Sequence, residues 1–287
     1  MKKTIKNIWK IACYPLLFII AQLVVTVIYM FVLGMIIGVE MVISNEMMSS
    51  EEIGELGVER FNLMVATVIS AVWISLIVFI IFRKEWQAER FWSFSGLKVP
   101  PVLLWVVLGV GLNVITVFIL TILPELFTQQ PIDGMIGNNL LLEIITIALF
   151  MPILEEIIFR GIVQKRLIKI MKLPVALVLQ ALIFALVHFS FVQGTYAFIL
   201  GIIVGLVYIW SGSIWSAIIV HVAFNATSVV MTNILGDAEV NMVYLGIAAV
   251  AGLAVSIVCM VVLAKKRIVI DNIDMEIEEE VVATENV

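Results

Sequence analysis

Long apolar stretches recur through the chain, and few charges interrupt them. Several approach the roughly 20 residues that a helix needs to cross the hydrocarbon layer of a bilayer. Only helices and closed barrels satisfy every backbone polar group in lipid, and stretches of this length are typical of helices. The sequence therefore predicts an all-α, polytopic transmembrane helical bundle. Composition agrees, because 63% of the 287 residues are hydrophobic and 14% are charged, against about 45–50% and about 25% in soluble domains.

Charged or turn-rich breaks divide this apolar sequence into about eight predicted spans. Four lysines precede the first one, but its apolar stretch is longer than the core of a signal peptide, so we interpret it as a retained helix. The predicted spans cover approximately residues 11–38, 61–82, 102–123, 140–160, 174–192, 196–211, 213–233 and 241–264.

The basic residues indicate how these spans are oriented, because lysine and arginine accumulate in short cytoplasmic loops. Fifteen of the seventeen fall on one side of the predicted topology, and the opposite connections are acidic with Arg60 as their only cation. Both termini are therefore expected in the cytoplasm, in a multi-pass integral protein of the cell membrane if the host is bacterial. The fifteen are Lys2, Lys3, Lys6, Lys10, Arg83, Lys84, Arg90, Lys98, Lys165, Arg166, Lys169, Lys172, Lys265, Lys266 and Arg267.

The predicted organisation is one transmembrane domain, residues 1–270, followed by a tail. Residues 271–287 carry seven acids and no base, a composition typical of a disordered cytoplasmic segment. Residues 83–100 mix aromatic and charged side chains and are predicted to lie along the membrane interface. Cys13 and Cys259 lie in apolar runs and are expected to pack as small hydrophobes. With a net charge of −5, we expect the lipid bilayer and no nucleic acid as a partner.

A short set of ionisable residues remains inside the predicted spans. Each costs at least about 2.5–3.5 kcal/mol at bilayer depth, so such groups usually face a partner or a watery cavity and mark function. Several together predict a polar site within the bundle. They are Glu143, Glu155, Glu156, Arg160, His188 and His221.

Helical spacing predicts which of these groups meet. Glu156 and Arg160 are four residues apart and share a face, so Arg160 should neutralise Glu156, whereas Glu155 points about 100° away and should stay unpaired. If the chain reverses near Lys172, Glu155 and His188 are level on two antiparallel helices and could share one cavity. Pro152 should kink the fourth span and free a backbone carbonyl.

Two further four-residue spacings complete the pattern, Phe184 with His188 and His221 with Asn225. With Glu155-Glu156-x-x-x-Arg160, they form three motifs in order on three separate spans. The pattern resembles the CPBP family, which includes the type II CAAX prenyl endopeptidases and bacteriocin-processing or self-immunity proteins. The resemblance covers roughly residues 140–232 and implies an intramembrane endopeptidase. The site residues that this resemblance implies are Glu155, Glu156, Arg160, His188, His221 and Asn225, with Phe184 as a motif residue.

The residue types suit amide hydrolysis, which needs an activated water and a stabilised oxyanion. We expect Glu155 and His188 to activate the water and His221 and Asn225 to bind the oxyanion. Glu155, His188 and His221 would also suffice as ligands of a catalytic zinc. Since the His-Glu-x-x-His sequence typical of zinc proteases is absent, we favour metal-free glutamate catalysis and no cofactor.

Two other functions remain open at this point. One is a proton-linked transporter in which the glutamates and histidines form a relay. The other is a non-catalytic bacteriocin-immunity or scaffold protein that keeps the same fold. For the peptidase, the substrate could be a prenylated CAAX protein, a leader peptide or a membrane-protein segment, and the oligomeric state is left open.

Overall fold

The computed structural model describes residues 2–44, 49, 52–53, 101–123, 140–235 and 241–265. Within these ranges the chain forms helices and short turns, with no strand. This agrees with the predicted all-α class. The helices are α1 (Lys2–Ser44), α2 (Val102–Ile122), α3 (residues 140–168), α4 (Leu173–Leu186), α5 (Phe191–Ser211), α6 (Ile214–Leu235) and α7 (Met242–Lys265).

Five of these helices, α1, α2, α5, α6 and α7, are long and apolar enough to cross a membrane. They support the prediction of an integral membrane protein. The predicted span at 61–82, the interfacial segment at 83–100 and the acidic tail at 271–287 lie outside the described residues. The number of eight spans and the cytoplasmic position of both termini stay predictions.

The predicted span at 174–192 is wrong in its extent. Helix α4 ends at Leu186 and contains 14 residues, so it is about 21 Å long and too short to cross the bilayer. The break has a local cause, because Phe189 adopts a left-handed backbone conformation with φ 51° and turns the chain. Ser190 then caps α5, its hydroxyl oxygen accepting a hydrogen bond from the Gln193 N–H at 3.3 Å.

Helix α3 continues through Gly161 to Ile168, but two wide π-helical turns interrupt it, at Ile144–Phe150 and Phe159–Gln164. In the first, the Met151 N–H donates to the Thr146 carbonyl five residues earlier. The next donor in that register is Pro152, which has no N–H for the Ile147 carbonyl. The Asn225 Nδ2 amide on α6 donates to that carbonyl instead, at 3.0 Å. The predicted freed carbonyl near Pro152 thus has an interhelical partner.

Among the described residues, two large buried apolar clusters and a smaller one at Ile157, Ile214 and Ile218 hold the bundle together. One joins α3 and α4 with α1 around Phe159, Val163 and Phe184. The other joins α2, α5, α6 and α7 around Trp105 and Val204, and it includes Cys259 as a buried free thiol. Cys259 therefore packs as the small hydrophobe that the sequence predicts. The ionisable residues of interest lie on α3, on α6 and just after the end of α4.

Gly109 sets how closely α2 approaches α6. A Cβ at this position would overlap the Val220 carbonyl oxygen and come within 2.7 Å of the Ala223 Cβ. We expect Gly109→Ala to lower the free energy of unfolding of the detergent-solubilised protein by about 1–3 kcal/mol, because the backbone of α2 or α6 must move to make room for the methyl group. The matched control is Gly246→Ala on α7, where the nearest atom, Phe118 Cε2, is 3.5 Å away. An equal loss of unfolding free energy in both variants would contradict the claim that Gly109 sets the distance between α2 and α6.

Candidate active site

A buried ionic cluster lies between α3 and α6. The Arg160 guanidinium donates to the Glu156 Oε1 at 2.8 Å, and neither side chain is exposed. The His221 Nδ1–H donates to the same oxygen at 2.7 Å. The predicted Glu156–Arg160 pair is therefore confirmed. Because one carboxylate oxygen serves both groups, it fixes the orientation of the imidazole on the neighbouring helix.

Glu155 lies on the other side of the same imidazole. Its Oε2 is 3.7 Å from the His221 Nε2, and its side chain is 11% exposed. Among the described residues Glu155 forms no ion pair with an arginine, as expected, and α6 brings the His221 ring between both glutamates. A separation of 3.7 Å exceeds a hydrogen bond but allows a water molecule to touch both groups.

His188 is held in a different way from His221. Its Nδ1 lies 2.7 Å from the Phe184 carbonyl oxygen. A carbonyl only accepts, so Nδ1 carries the proton and the neutral ring has its lone pair on Nε2. Among the described side chains, Glu155 and His188 form no ion pair within 4.0 Å, so the direct partner of Glu155 is His221. The cavity that Glu155 and His188 are expected to share stays a prediction, and the local backbone differs from two regular helices, since α4 ends before His188 and α3 contains π-helical turns.

Phe184 is the aromatic centre of this region and is 1% exposed. Its ring centroid is 4.9 Å from that of His188 and 5.8 Å from that of His221, with both pairs edge to face. The Arg160 guanidinium carbon lies 4.8 Å from the same centroid. Phe184 therefore separates the two imidazoles and supports the arginine by a cation–π contact.

Asn225 lies one helical turn after His221 on α6, as predicted. One of its amide hydrogens is donated to the Ile147 carbonyl at 3.0 Å. The second amide hydrogen is available to another acceptor. The contact with Ile147 anchors this side chain to α3, the helix that carries both glutamates.

Residues 137–227 match the family model of type II CAAX prenyl endopeptidase Rce1-like proteins. This agrees with the resemblance seen in the motifs. All seven predicted site residues lie within the matched stretch. No curated protein and no solved structure matches the chain.

Sequence reasoning missed several uncharged polar residues near this cluster. Gln164 and Gln180 are completely buried, and their side-chain amides donate to backbone carbonyls of α5. Asn233 donates to the Glu143 carboxylate at 2.6 Å, which gives this other membrane glutamate a partner on α6. These residues could have been recognised as amides inside apolar spans, but they are not ionisable and so do not belong to the set of charged residues from which the site was predicted.

An apolar cavity of about 120 Å³ lies between α2, α5 and α6. Leu200 and Phe224 line it, together with Tyr196, and Phe224 directly precedes Asn225 on α6. The hydroxyls of Thr116 and Thr195 also border it, but each donates to a carbonyl of its own helix. The cavity therefore offers apolar contacts beside the ionic cluster.

The zinc alternative requires Glu155, His188 and His221 around one metal ion. In the described part of the chain, no group of three or more histidine, cysteine, aspartate or glutamate side chains is arranged to hold a metal ion. Glu155 and His221 approach each other, whereas His188 is held by the Phe184 carbonyl. Because that hydrogen bond uses the Nδ1, the His188 Nε2 stays free to bind a metal, and the zinc alternative stays a prediction.

Proposed function

We propose that the protein is an intramembrane endopeptidase that hydrolyses a peptide bond of a membrane-associated or lipidated protein or peptide. The observation that carries this proposal is the buried chain of contacts from Glu155 through His221 and Glu156 to Arg160. It lies within the stretch that matches the CAAX endopeptidase family. These contacts place a carboxylate, an imidazole and a compensating cation side by side, as general acid–base chemistry requires.

In the proposed reaction, Glu155 takes one proton from a water molecule whose oxygen attacks the scissile carbonyl carbon. The carbonyl oxygen then carries the negative charge. The His221 Nε2 and the second amide hydrogen of Asn225 face and stabilise this oxyanion. When the C–N bond breaks, Glu155 returns its proton to the leaving amine. Glu156 and Arg160 are positioning residues, since they act through the His221 ring.

His188 has a supporting role in this proposal. Its Nδ1–H is used by the Phe184 carbonyl, so the Nε2 lone pair can accept the second hydrogen of the attacking water. His188 therefore orients the water, while Glu155 takes the proton. This keeps the water-activating pair expected from the sequence and assigns proton transfer to the glutamate.

Asn225→Ala is expected to reduce kcat by roughly 10²–10³-fold, the usual cost of losing one oxyanion donor. The matched control is Asn233→Ala on the same helix. Asn233 also donates to a group on α3, but its partner is the Glu143 carboxylate. We expect the kcat of Asn233→Ala to stay near the wild-type value, even if the folded yield of this variant falls. Single-turnover cleavage assays with both variants make the comparison, and equal losses of kcat would contradict an oxyanion role for Asn225.

Metal dependence is tested by incubating the purified active protein with a chelator. Because the described residues form no three-ligand cluster, we expect cleavage to survive and metal analysis to find less than one equivalent of zinc. Reversible inactivation, with stoichiometric zinc lost in His188→Ala and His221→Ala, would replace the metal-free mechanism with a zinc mechanism.

The substrate class is tested with a peptide panel in detergent. The panel contains one CAAX peptide with and without its prenyl group, a leader peptide and a peptide from a membrane-spanning segment. Cleavage that depends on the prenyl group would assign the CAAX substrate class. Cleavage of the unprenylated peptides at the same rate would assign an unmodified apolar peptide.

A further inference from the structure

Helix α5 carries none of the predicted site residues, yet its backbone contacts the ionic cluster. The Gly201 carbonyl oxygen accepts a hydrogen bond from one terminal nitrogen of Arg160 at 3.3 Å. The other terminal nitrogen donates to Glu156 at 2.8 Å. The guanidinium carbon also lies 4.8 Å from the centroid of the Phe184 ring. These contacts fix the guanidinium from different directions, and one of them comes from α5.

The Gly201 carbonyl is itself held from α4. The Gln180 Nε2 donates to the same oxygen at 2.8 Å, and both Gln180 and Arg160 are 0% exposed. A hydrogen bond from a charged donor in such a buried place is stronger than one between neutral groups. One backbone oxygen of α5 thus joins an amide on α4 to the arginine on α3.

The absence of a side chain at Gly201 allows this close approach of the helices. A Cβ here would lie 3.1 Å from both the Cα and the Cβ of Ala181, and 3.3 Å from the Phe184 Cδ1. Carbon atoms normally pack about 3.5–4.0 Å apart, so α5 or the Phe184 ring would have to shift. That ring lies between the two imidazoles. The hydrogen bond to Arg160 is already long, so a shift of a few tenths of an ångström is expected to break it.

We infer that Gly201 is a positioning residue of the proposed active site, an inference that rests on the proposed function. Its bare face seats the Phe184 ring, and its carbonyl orients Arg160. Arg160 then holds Glu156, whose carboxylate orients the His221 ring. Gly201 acts on the reaction through these side chains and not by touching the substrate.

A change to one peptide bond tests the carbonyl without adding an atom at the contact. Stop-codon suppression with an α-hydroxy acid in place of Ile202 converts the bond after Gly201 into an ester, whose carbonyl oxygen is a weaker acceptor. The matched control places the ester after Gly205, whose carbonyl accepts from the Gln164 Nε2 at 3.0 Å. Each ester also removes one backbone N–H of α5, so this cost to the helix is matched.

We expect the ester after Gly201 to lower kcat roughly tenfold at unchanged KM, the rate equivalent of about one hydrogen bond. The ester after Gly205 should leave kcat near the wild-type value. Gly201→Ala should also lower kcat, and adding Ala181→Gly, which removes the methyl group that the new side chain meets, should restore it toward wild type. Equal kcat values in the two esters would overturn the positioning role and leave the proposed peptidase untouched. If the Gly201 ester fails to fold, Gly201→Ala decides, and a folded variant with wild-type kcat overturns the role.

The contact is also measurable without any need for activity. In ¹⁵N NMR of arginine-labelled protein, a guanidinium that is fixed at both terminal nitrogens gives separate signals for them. We expect separate Arg160 signals in the wild type and in the Gly205 ester, and broadened signals in the Gly201 ester. Equally sharp signals in both esters would overturn the inference. A wild-type protein that shows the separate signals but cleaves no peptide would overturn the proposed function, while the contact between Arg160 and Gly201 would stand.

Discussion

A Glu155→Gln variant is expected to lose peptide hydrolysis while the protein still inserts and folds. The amide keeps the shape of the side chain but cannot take a proton from water. General acid–base catalysis typically contributes roughly 10²–10⁴-fold to the reaction rate, so we expect the cleavage rate to fall by at least about 10²-fold. Folding should be preserved, because Arg160 pairs with Glu156 and is not left without its counter-charge.

The matched control for this prediction is Glu143→Gln. Glu143 is the buried glutamate of α3 that lies outside the ionic cluster, and its carboxylate accepts a hydrogen bond from Asn233. We expect its cleavage rate to stay close to wild type in the same detergent assay. Undiminished turnover by Glu155→Gln would remove Glu155 from the mechanism. A wild-type protein that cleaves nothing but conducts protons in liposomes through Glu155 would favour the transporter hypothesis.

Arg160→Met is expected to lower both the folded yield and the activity. Removing one partner of a buried ion pair typically costs about 3–5 kcal/mol, because the other charge stays buried without compensation. Here that charge is Glu156, which is 0% exposed and keeps only the His221 hydrogen bond. Methionine retains most of the volume, so the loss reports on charge rather than on a cavity.

The compensating variant combines Arg160→Met with Glu156→Gln. The amide oxygen that this second substitution introduces can still accept from the His221 Nδ1–H, and no unpaired charge remains. Folded yield measured by size-exclusion chromatography should therefore recover toward wild type, while hydrolysis stays impaired. A double variant that folds no better than Arg160→Met alone would show that the pair does not stabilise the fold as proposed.

The sequence was sufficient where a contact depends on residues within one helical turn. The Glu156–Arg160 pair follows from a four-residue spacing, and the structure contains it. The same holds for the turn that relates His221 to Asn225. The membrane class was equally accessible, because apolar length alone identifies helices such as α2 and α7. Local spacing and bulk hydrophobicity are properties that a single sequence carries directly.

Contacts between helices were harder to predict, because small changes in helical register rotate side chains. The expected pairing of Glu155 with His188 assumed two regular helices. The π-helical turn at Phe159–Gln164 and the end of α4 at Leu186 both break that assumption. The hydrogen bond from Asn225 to Ile147 depends on a carbonyl that only the register near Pro152 leaves open. Predicting such contacts requires the backbone geometry in addition to the residue types.

The shortness of α4 has a consequence for the surrounding lipid. At about 21 Å, this helix is roughly 9 Å shorter than the hydrocarbon layer that its neighbours cross. If the basic turn before α4 lies at the headgroups, the turn after Leu186, with Phe189 and Phe191 exposed, falls short of the opposite headgroups. Bilayers usually meet a hydrophobic segment that is too short by thinning locally. Bilayer thickness thus becomes a physical variable that acts on the turn carrying His188.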